Sequence, residues 1–312
     1  MTILESCQQV AREIAVEVPS VLVGSSDDNS SLFLGCAQSI GKQIAKAHNW
    51  ICLNREHTFT TYAGIAYYEL PTDFNHFENS TAWDRSNYER IRGPLSPSEW
   101  QEYKSSVLAS TNTVWKRFRL RYDGGKKRFT VHPTPTGTSD SGTATASFDN
   151  RVGDLSKSWT TDQWQGGQVY IDNTSSIGAV SSNQSGVLYI DNLSPETQVT
   201  SGDSYTVGLS ADSLVFEYIT KNWCKSSTGT EQSAIAADSD ELILDEYLFE
   251  LGLKYKVLNR LGMEHADEKR DFYNELHRSI ARDGGSKKLT LTGRKRYHLL
   301  GPQNVSDSGY GS

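Results

Sequence analysis

The hydrophobic period of this chain changes twice, and that limits the folds open to it more than any other feature. Near the amino terminus Leu4, Cys7, Val10, Ala11, Ile14, Ala15 and Val18 recur at intervals of three and four, which gathers them on one stripe of a helix. Pro19 helps to end that helix. Asp27, Asp28, Asn29 and Ser30 offer N-caps for a second helix, striped by Leu32, Cys36, Ile40, Ile44 and Ala47 and running to about Asn49. From Trp50 the pattern changes: Thr58 to Tyr62 and Ile65 to Leu70 read as strands around Gly64, with Pro71 closing a hairpin. Helical spacing returns with Leu242, Leu244, Tyr247, Leu248, Leu251, Tyr255 and Leu258, then with Phe272, Tyr273, Leu276 and Ile280. Two helices therefore close the core.

Between the helical ends, Ser96, Pro97, Ser98 and Glu99 mark a short helix that puts Trp100 and Tyr103 on one face. Val114 to Tyr122 alternates, with Val114, Phe118, Leu120 and Tyr122 on one side and Trp115, Arg117, Arg119 and Arg121 on the other. Asp123, Gly124 and Gly125 supply turn residues, and a return strand, Lys126 to His132, completes a long hairpin. Residues 136–212 are dense in Ser, Thr, Gly, Asn and Asp, with β-prone islands at Gln168 to Ile171, Val187 to Ile190 and Tyr205 to Val207. They read as an inserted β module, after which Leu214 to Thr220 resumes a strand that rejoins the sheet of the hairpin.

The expectation is an α+β fold: a helical bundle from the N- and C-terminal helices, an antiparallel β portion, and an inserted small β module. The core comprises 1–135 and 213–285, the module 136–212, and an extended tail 286–312. The tail follows Gly284 and Gly285, holds too few apolar residues to pack alone, and is expected to gain order on a partner.

Composition excludes several functions. No stretch of signal-peptide character opens the sequence, and no apolar run approaches the roughly 20 residues that cross a bilayer, so synthesis in a cytoplasm and no membrane partner are expected. Cys7, Cys36, Cys52 and Cys224 lie far apart without metal-site spacing and read as free thiols. A formal charge of −7 argues against a protein built to grip phosphates.

A search for chemistry finds no GxSxG, HExxH, Walker or GxGxxG motif in a suitable context. His57, His76, His132 and His265 are scattered. Asp238, Asp240 and Glu241 could pair as glycosidase carboxylates, but capping of the following helix is the simpler reading. Trp159, Trp164, Tyr170 and Tyr189 could stack on sugars, though a small sandwich core uses aromatic residues the same way. No catalytic residue, metal or cofactor is expected. The basic stripe of Arg117, Arg119, Arg121, Lys126, Lys127 and Arg128 is dense enough to meet an acidic neighbour and set rotational register in an oligomer.

The order of these features resembles the portal-to-tail adaptor proteins of tailed phages, also called head-tail connectors or tail tubular proteins. Two opening helices lead through Ala47, His48, Asn49 and Trp50 into Thr58, Phe59 and Thr60, then Tyr68, Glu69, Leu70, Pro71, Thr72, Asp73 and Phe74. Ile91 to Leu95, Trp115 to Leu120, Val131 to Pro135, and Leu214 to Trp223 continue it. The insert is similar to a small β module recurring in phage structural proteins, through Trp159, Thr160, Gln163, Trp164, Gly166, Gly167 and Val169, then Asn183, Leu188, Gly202, Asp203 and Tyr205.

The resemblance implies a virion protein at the head-tail interface: a homo-oligomeric ring of twelve copies that touches the portal protein above and a tail nozzle or tail tube protein below. Double-stranded DNA would pass through without specific binding. It also implies that the tail docks on the portal through Leu289, Leu291, Tyr297, Leu299 and Leu300, flanked by Arg294, Lys295 and Arg296. Two other classes stay open: a carbohydrate-binding tail or host-recognition protein that uses the insert, and a glycan hydrolase.

Overall fold

The computed structural model describes residues 1–105, 116–123, 125–195 and 198–284. The chain opens with α1 (Ile3–Glu13) and α2 (Asp28–Ala47). It then runs through β1 (Asn54–Tyr62), β2 (Tyr67–Glu69), β3 (Phe74–Phe77), β4 (Trp83–Asp84) and β5 (Glu89–Arg90) to α3 (Pro97–Ser105). The hairpin strands are β6 (Arg117–Asp123) and β7 (Lys126–His132). Six strands follow: β8 (Ser139–Thr143), β9 (Arg151–Gly153), β10 (Gln168–Ile171), β11 (Ser176–Gln184), β12 (Val187–Ser194) and β13 (Ser204–Gly208). β14 (Ser210–Thr220) leads to β15 (Cys224–Lys225), β16 (Glu231–Gln232) and β17 (Glu241–Leu242), before α4 (Glu246–Leu261) and α5 (Ala266–Arg282).

The α+β class stands, but the expected helical bundle does not: with seventeen strands and five short helices among the described residues, the fold is mostly β. The terminal helices fail to bundle because strands share their core. Trp223, Cys224 and Leu242 are buried among the apolar faces of α1, α2, α4 and α5, and β15 is paired with β16 on one side and β17 on the other. Leu242 and Leu244, which extend the helical stripe in sequence, belong to β17 and to the turn before the Asp245 cap.

The chain divides into two compact units. Unit 1 contains residues 1–55, 73–77 and 218 onward. Its α1 begins in a capping box between Thr2 and Glu5. It ends earlier than the stripe to Val18 suggests, because Ala15 takes a φ of 55° and Val16 N–H donates to Ala11 O at 3.0 Å, turning the chain away before Pro19. α2 starts at one of the expected caps: the Asp27 carboxylate accepts from Ser30 N–H at 2.8 Å. Asp27→Ala should cost about 1 kcal/mol, read as a lower thermal midpoint with unchanged secondary structure; no change would mean that the cap is redundant.

Unit 2 contains residues 56–72 and 78–217. β7 is paired on both sides, with β6 and with β2. β1 and β2 do not form the expected hairpin around Gly64, since β1 lies beside β14 and β2 beside β7. β14 likewise does not rejoin the hairpin sheet; Leu214 and Val215 pair with Asp84 and Trp83 of β4. An aromatic column makes the contact instead: Phe118 stacks on Phe129 at 4.4 Å and Phe129 on Phe216 at 5.6 Å, with ring planes 4° apart in the second pair. Phe59 meets the Phe129 and Phe216 rings edge-on. Strands β8 to β13 form an antiparallel sheet in the order β8-β13-β10-β11-β12-β9, with Trp159, Trp164, Val169, Leu188 and Tyr205 in its core.

Candidate functional site

The hairpin register decides what the basic stripe can do. Arg117 opposes His132, Arg119 opposes Thr130 and Arg121 opposes Arg128, so the three β6 arginines share a face with Arg128. Lys126 pairs with Asp123 on that face, and Lys127 with Tyr122 on the other. Across β7, Glu69 of β2 sits opposite Arg128 and Tyr67 opposite Thr130.

The stripe is not uniformly solvated. Arg128 is wholly buried; its Nη2 donates to the backbone oxygen of Ser175 and, at 3.5 Å, to that of Ser194, and the guanidinium lies 6.0 Å from the Tyr170 ring centroid. Arg117 sits 4.0 Å above the Tyr103 ring of α3. Lys126 pairs with Glu69 at 3.2 Å and reaches Ser194 Oγ. Arg121 and Lys127 are exposed and Arg119 half-buried, and none of the three has an ion-pair partner among the described residues. Tyr122, 73% exposed, stands beside them. The hairpin thus has a base packed through Arg117 and a distal half in which Arg128 is buried and Lys126 paired while Arg121, Lys127 and Tyr122 face solvent.

Lys116, just before β6, anchors that base. Its ammonium bridges the carboxylates of Asp84 and Asp212, the latter at 2.6 Å. Burial pushes the Asp84 carboxyl up, but hydrogen bonds from Asn87 and Lys116 outweigh it and hold it below the usual carboxylate range. Burial likewise pulls Lys116 down, while hydrogen bonds to Asp212 and Asp84 carry its pKa above the usual lysine value. Nothing in sequence spacing announces this trio, whose members come from β4, the approach to β6, and β14.

The other candidates are placed in structural roles. Asp238 accepts from Leu22 and Val23 N–H at 3.0 and 2.8 Å, Asp240 from Ala236 and Ala237 N–H, and Glu241 pairs with Lys225 at 3.0 Å. The cap of α4 is Asp245, which accepts from Leu248 N–H at 2.8 Å, so the carboxylates expected to cap it brace loops and a strand instead. Trp159 and Trp164 are 7% and 2% exposed. Tyr170 is buried and Tyr189 lies under the Arg151 guanidinium at 4.9 Å. His57 stacks on Phe59, His76 contacts Asn49 at 2.8 Å, His132 packs on Trp100 and Tyr103, and the His265 ring contacts Met263 O. Cys7, Cys36 and Cys224 are buried and Cys52 is exposed, all free; burial pushes the Cys7 thiol up to about 12. Among the described residues no group of three or more His, Cys, Asp or Glu side chains could hold a metal ion, and no helix is long and apolar enough to cross a membrane. The proposed portal-contacting residues, Leu289, Leu291, Arg294, Lys295, Arg296, Tyr297, Leu299 and Leu300, lie outside the described residues.

Comparison with curated proteins finds no match. A family profile described as SU10 adaptor protein matches residues 1–172, more than half of the chain, from α1 through the basic hairpin to β10. The order of helices, strands and hairpin that resembles the portal-to-tail adaptors falls largely within that span, and the chain belongs to the SU10 adaptor protein family, a family of phage head-tail adaptors.

Proposed function

We propose that this protein is the ring-forming adaptor that joins the capsid portal to the tail, with copies, twelve by analogy, arranged around the DNA conduit. The observation that carries this reading is the family match through the hairpin. It is a structural role, with no turnover expected of any glycan, peptide or nucleotide. The −7 charge of the chain suits a conduit through which DNA slides without specific binding.

Within the ring the hairpin would set register between neighbours. Arg119 and Arg121 on one face and Lys127 on the other are the members left to meet a neighbour's carboxylates, while Arg117, Lys126 and Arg128 are engaged by contacts within the copy. The segment from Ser286 to Ser312 would dock on the portal, with Leu289, Leu291, Tyr297, Leu299 and Leu300 in an apolar groove and Arg294, Lys295 and Arg296 against acids at its rim. The tail side would meet a nozzle or tube protein.

Truncation after Asp283 tests the docking. The shortened protein should bind its portal at least about tenfold more weakly, roughly 1.4 kcal/mol or more, when the two are titrated by mass photometry. Equal binding by the truncated and full-length chains would overturn the docking segment.

A further inference from the structure

Three glycines lie inside α2 and α4 of unit 1, and packing within a lone copy accounts for only two of them. A Cβ on Gly41 would meet the Trp223 ring at 2.4 Å, and one on Gly252 would meet Ile40 at the same distance. Both are required by close packing. Gly35, in the middle of α2, would place a Cβ in open space with nothing within 4 Å. Its backbone is helical, so neither a turn nor internal packing explains a residue that weakens a helix relative to alanine.

Gly35 opens onto a groove of about 660 Å³ between α2 and the C-terminal half of α4, lined also by Leu32, Cys36, Tyr255, Lys256 and Arg260. Both cations lack a carboxylate among the described residues. Lys256 Nζ donates to Ser39 Oγ at 2.6 Å, and Arg260 has no hydrogen-bond or ion-pair partner among the described residues. Burial pushes Lys256 below its usual pKa, and the positive charge of Arg260 adds to that effect. Two uncompensated cations are held together beside apolar surface in a chain that is acidic overall.

The opposite charge lies elsewhere on the same unit. Glu5, Gln9 and Glu13 follow one another on one face of α1 at four-residue spacing. Gln9 donates to Glu250 Oε2 at 3.3 Å, and Glu246 sits one turn before Glu250 on α4. The cations paired with this ridge among the described residues are Lys254, 3.6 Å from Glu13, and the Met1 amino group, 2.7 Å from Glu246. They leave it acidic: after burial, the charges of Glu13, Glu246 and Asp245 raise the Glu250 carboxyl.

We propose that the groove between α2 and α4, lined by Lys256 and Arg260, seats the acidic ridge of α1 and the first turns of α4 from a second copy. The inference rests on the reading that copies assemble, and it names the surfaces through which they do so. A groove and a different, complementary ridge on each copy make a head-to-tail contact, the kind that closes a ring when its rotation permits. The absent Cβ at Gly35 lets the ridge approach the α2 backbone, and opposite charge sets its register.

The full-length protein tests this, with assembly followed by mass photometry and light scattering alone and on its portal. Lys256→Glu/Arg260→Glu makes groove and ridge both acidic, and Glu13→Lys/Glu246→Lys makes both basic. All four side chains are partly exposed, so the fold should survive. Each double variant alone should assemble at least about tenfold more weakly than wild type, and an equimolar mixture should recover, because each supplies the surface that the other lacks. Gly35→Leu should leave the lone copy's thermal midpoint unchanged or higher and still weaken assembly about tenfold. Variants that assemble like wild type, a mixture that does not recover, or a Gly35→Leu protein that assembles normally would each overturn the groove while leaving the ring intact. A wild-type chain that stays monomeric even with its portal would instead overturn the ring reading.

Discussion

Trp223→Ala is expected to destabilise the protein by about 3–5 kcal/mol, the range for removing a large aromatic side chain from a packed core. Trp223 is 1% exposed and occupies the space that a side chain at residue 41 would need. Its ring stacks on Phe249 at a centroid distance of 6.4 Å, and its Nε1 donates to Ser233 O at 2.9 Å. Alanine would leave a cavity between α2 and α4 and strand the Ser233 carbonyl. Gly41→Leu attacks the same joint from the other side, since its first side-chain carbon would clash with the indole ring. Guanidinium unfolding followed by far-ultraviolet circular dichroism checks both: the midpoint should fall sharply in each variant. A loss below about 1 kcal/mol in both, the level of a surface change, would show that Trp223 does not organise this core.

The second large effect is expected at Lys116. Lys116→Met should cost about 3–5 kcal/mol, because Asp84, 0% exposed, would keep its charge in a buried site without the ammonium that offsets it. Asp84→Asn together with Lys116→Met should recover much of that loss, which separates the charge effect from simple loss of packing. The pH dependence follows from the shifts. The Asp84 pKa is lowered by folding, so its stabilisation is present above the unfolded value, about 4, and is lost as pH falls through the folded pKa. The Lys116 pKa is raised, so its stabilisation is present below the unfolded value, about 10.4, and is lost as pH rises through the folded pKa. Wild type should therefore be most stable between those limits, and Lys116→Met should flatten the alkaline side. A Lys116→Met variant with wild-type stability at neutral pH would contradict this account.

Local patterns in the sequence located most of the elements, and long-range pairing decided what sequence could not show. The Asp27 cap, the stripe of α2, the start of α3 at Pro97 and the Asp123–Lys126 closure of the β6-β7 hairpin all rest on patterns within a few residues, and each was legible. The island Gln168 to Ile171 matches β10 end to end. Sheet partners were not legible. β1 and β2 are neighbours in sequence around Gly64, yet β2 pairs through Tyr67, Tyr68 and Glu69 with Thr130, Phe129 and Arg128. Alternation reports which residues face inward, and it is silent about which strand lies alongside.

The bundle failed for a related reason. Leu242 and Leu244 fit the helical stripe by spacing, but Asp245 caps the helix after them and Leu242 pairs with Cys224. The site was half visible. The density of Arg and Lys at 117–128 was plain, but the burial of Arg128 under Ser175 and the stacking of Arg117 on Tyr103 depend on segments 47 and 14 residues away in sequence. Lys116 is 32 residues from Asp84 and 96 from Asp212, and Gly35 gains its meaning only from the empty space above it.

The most direct measurement for the account as a whole is an electron micrograph of purified protein mixed with its portal. The account predicts a ring of copies seated on the portal, coaxial with its channel, with the basic hairpins at contacts between neighbours. Portal particles that remain bare at protein concentrations well above the range of stable adaptor binding, with the added chain monomeric in the background, would contradict it.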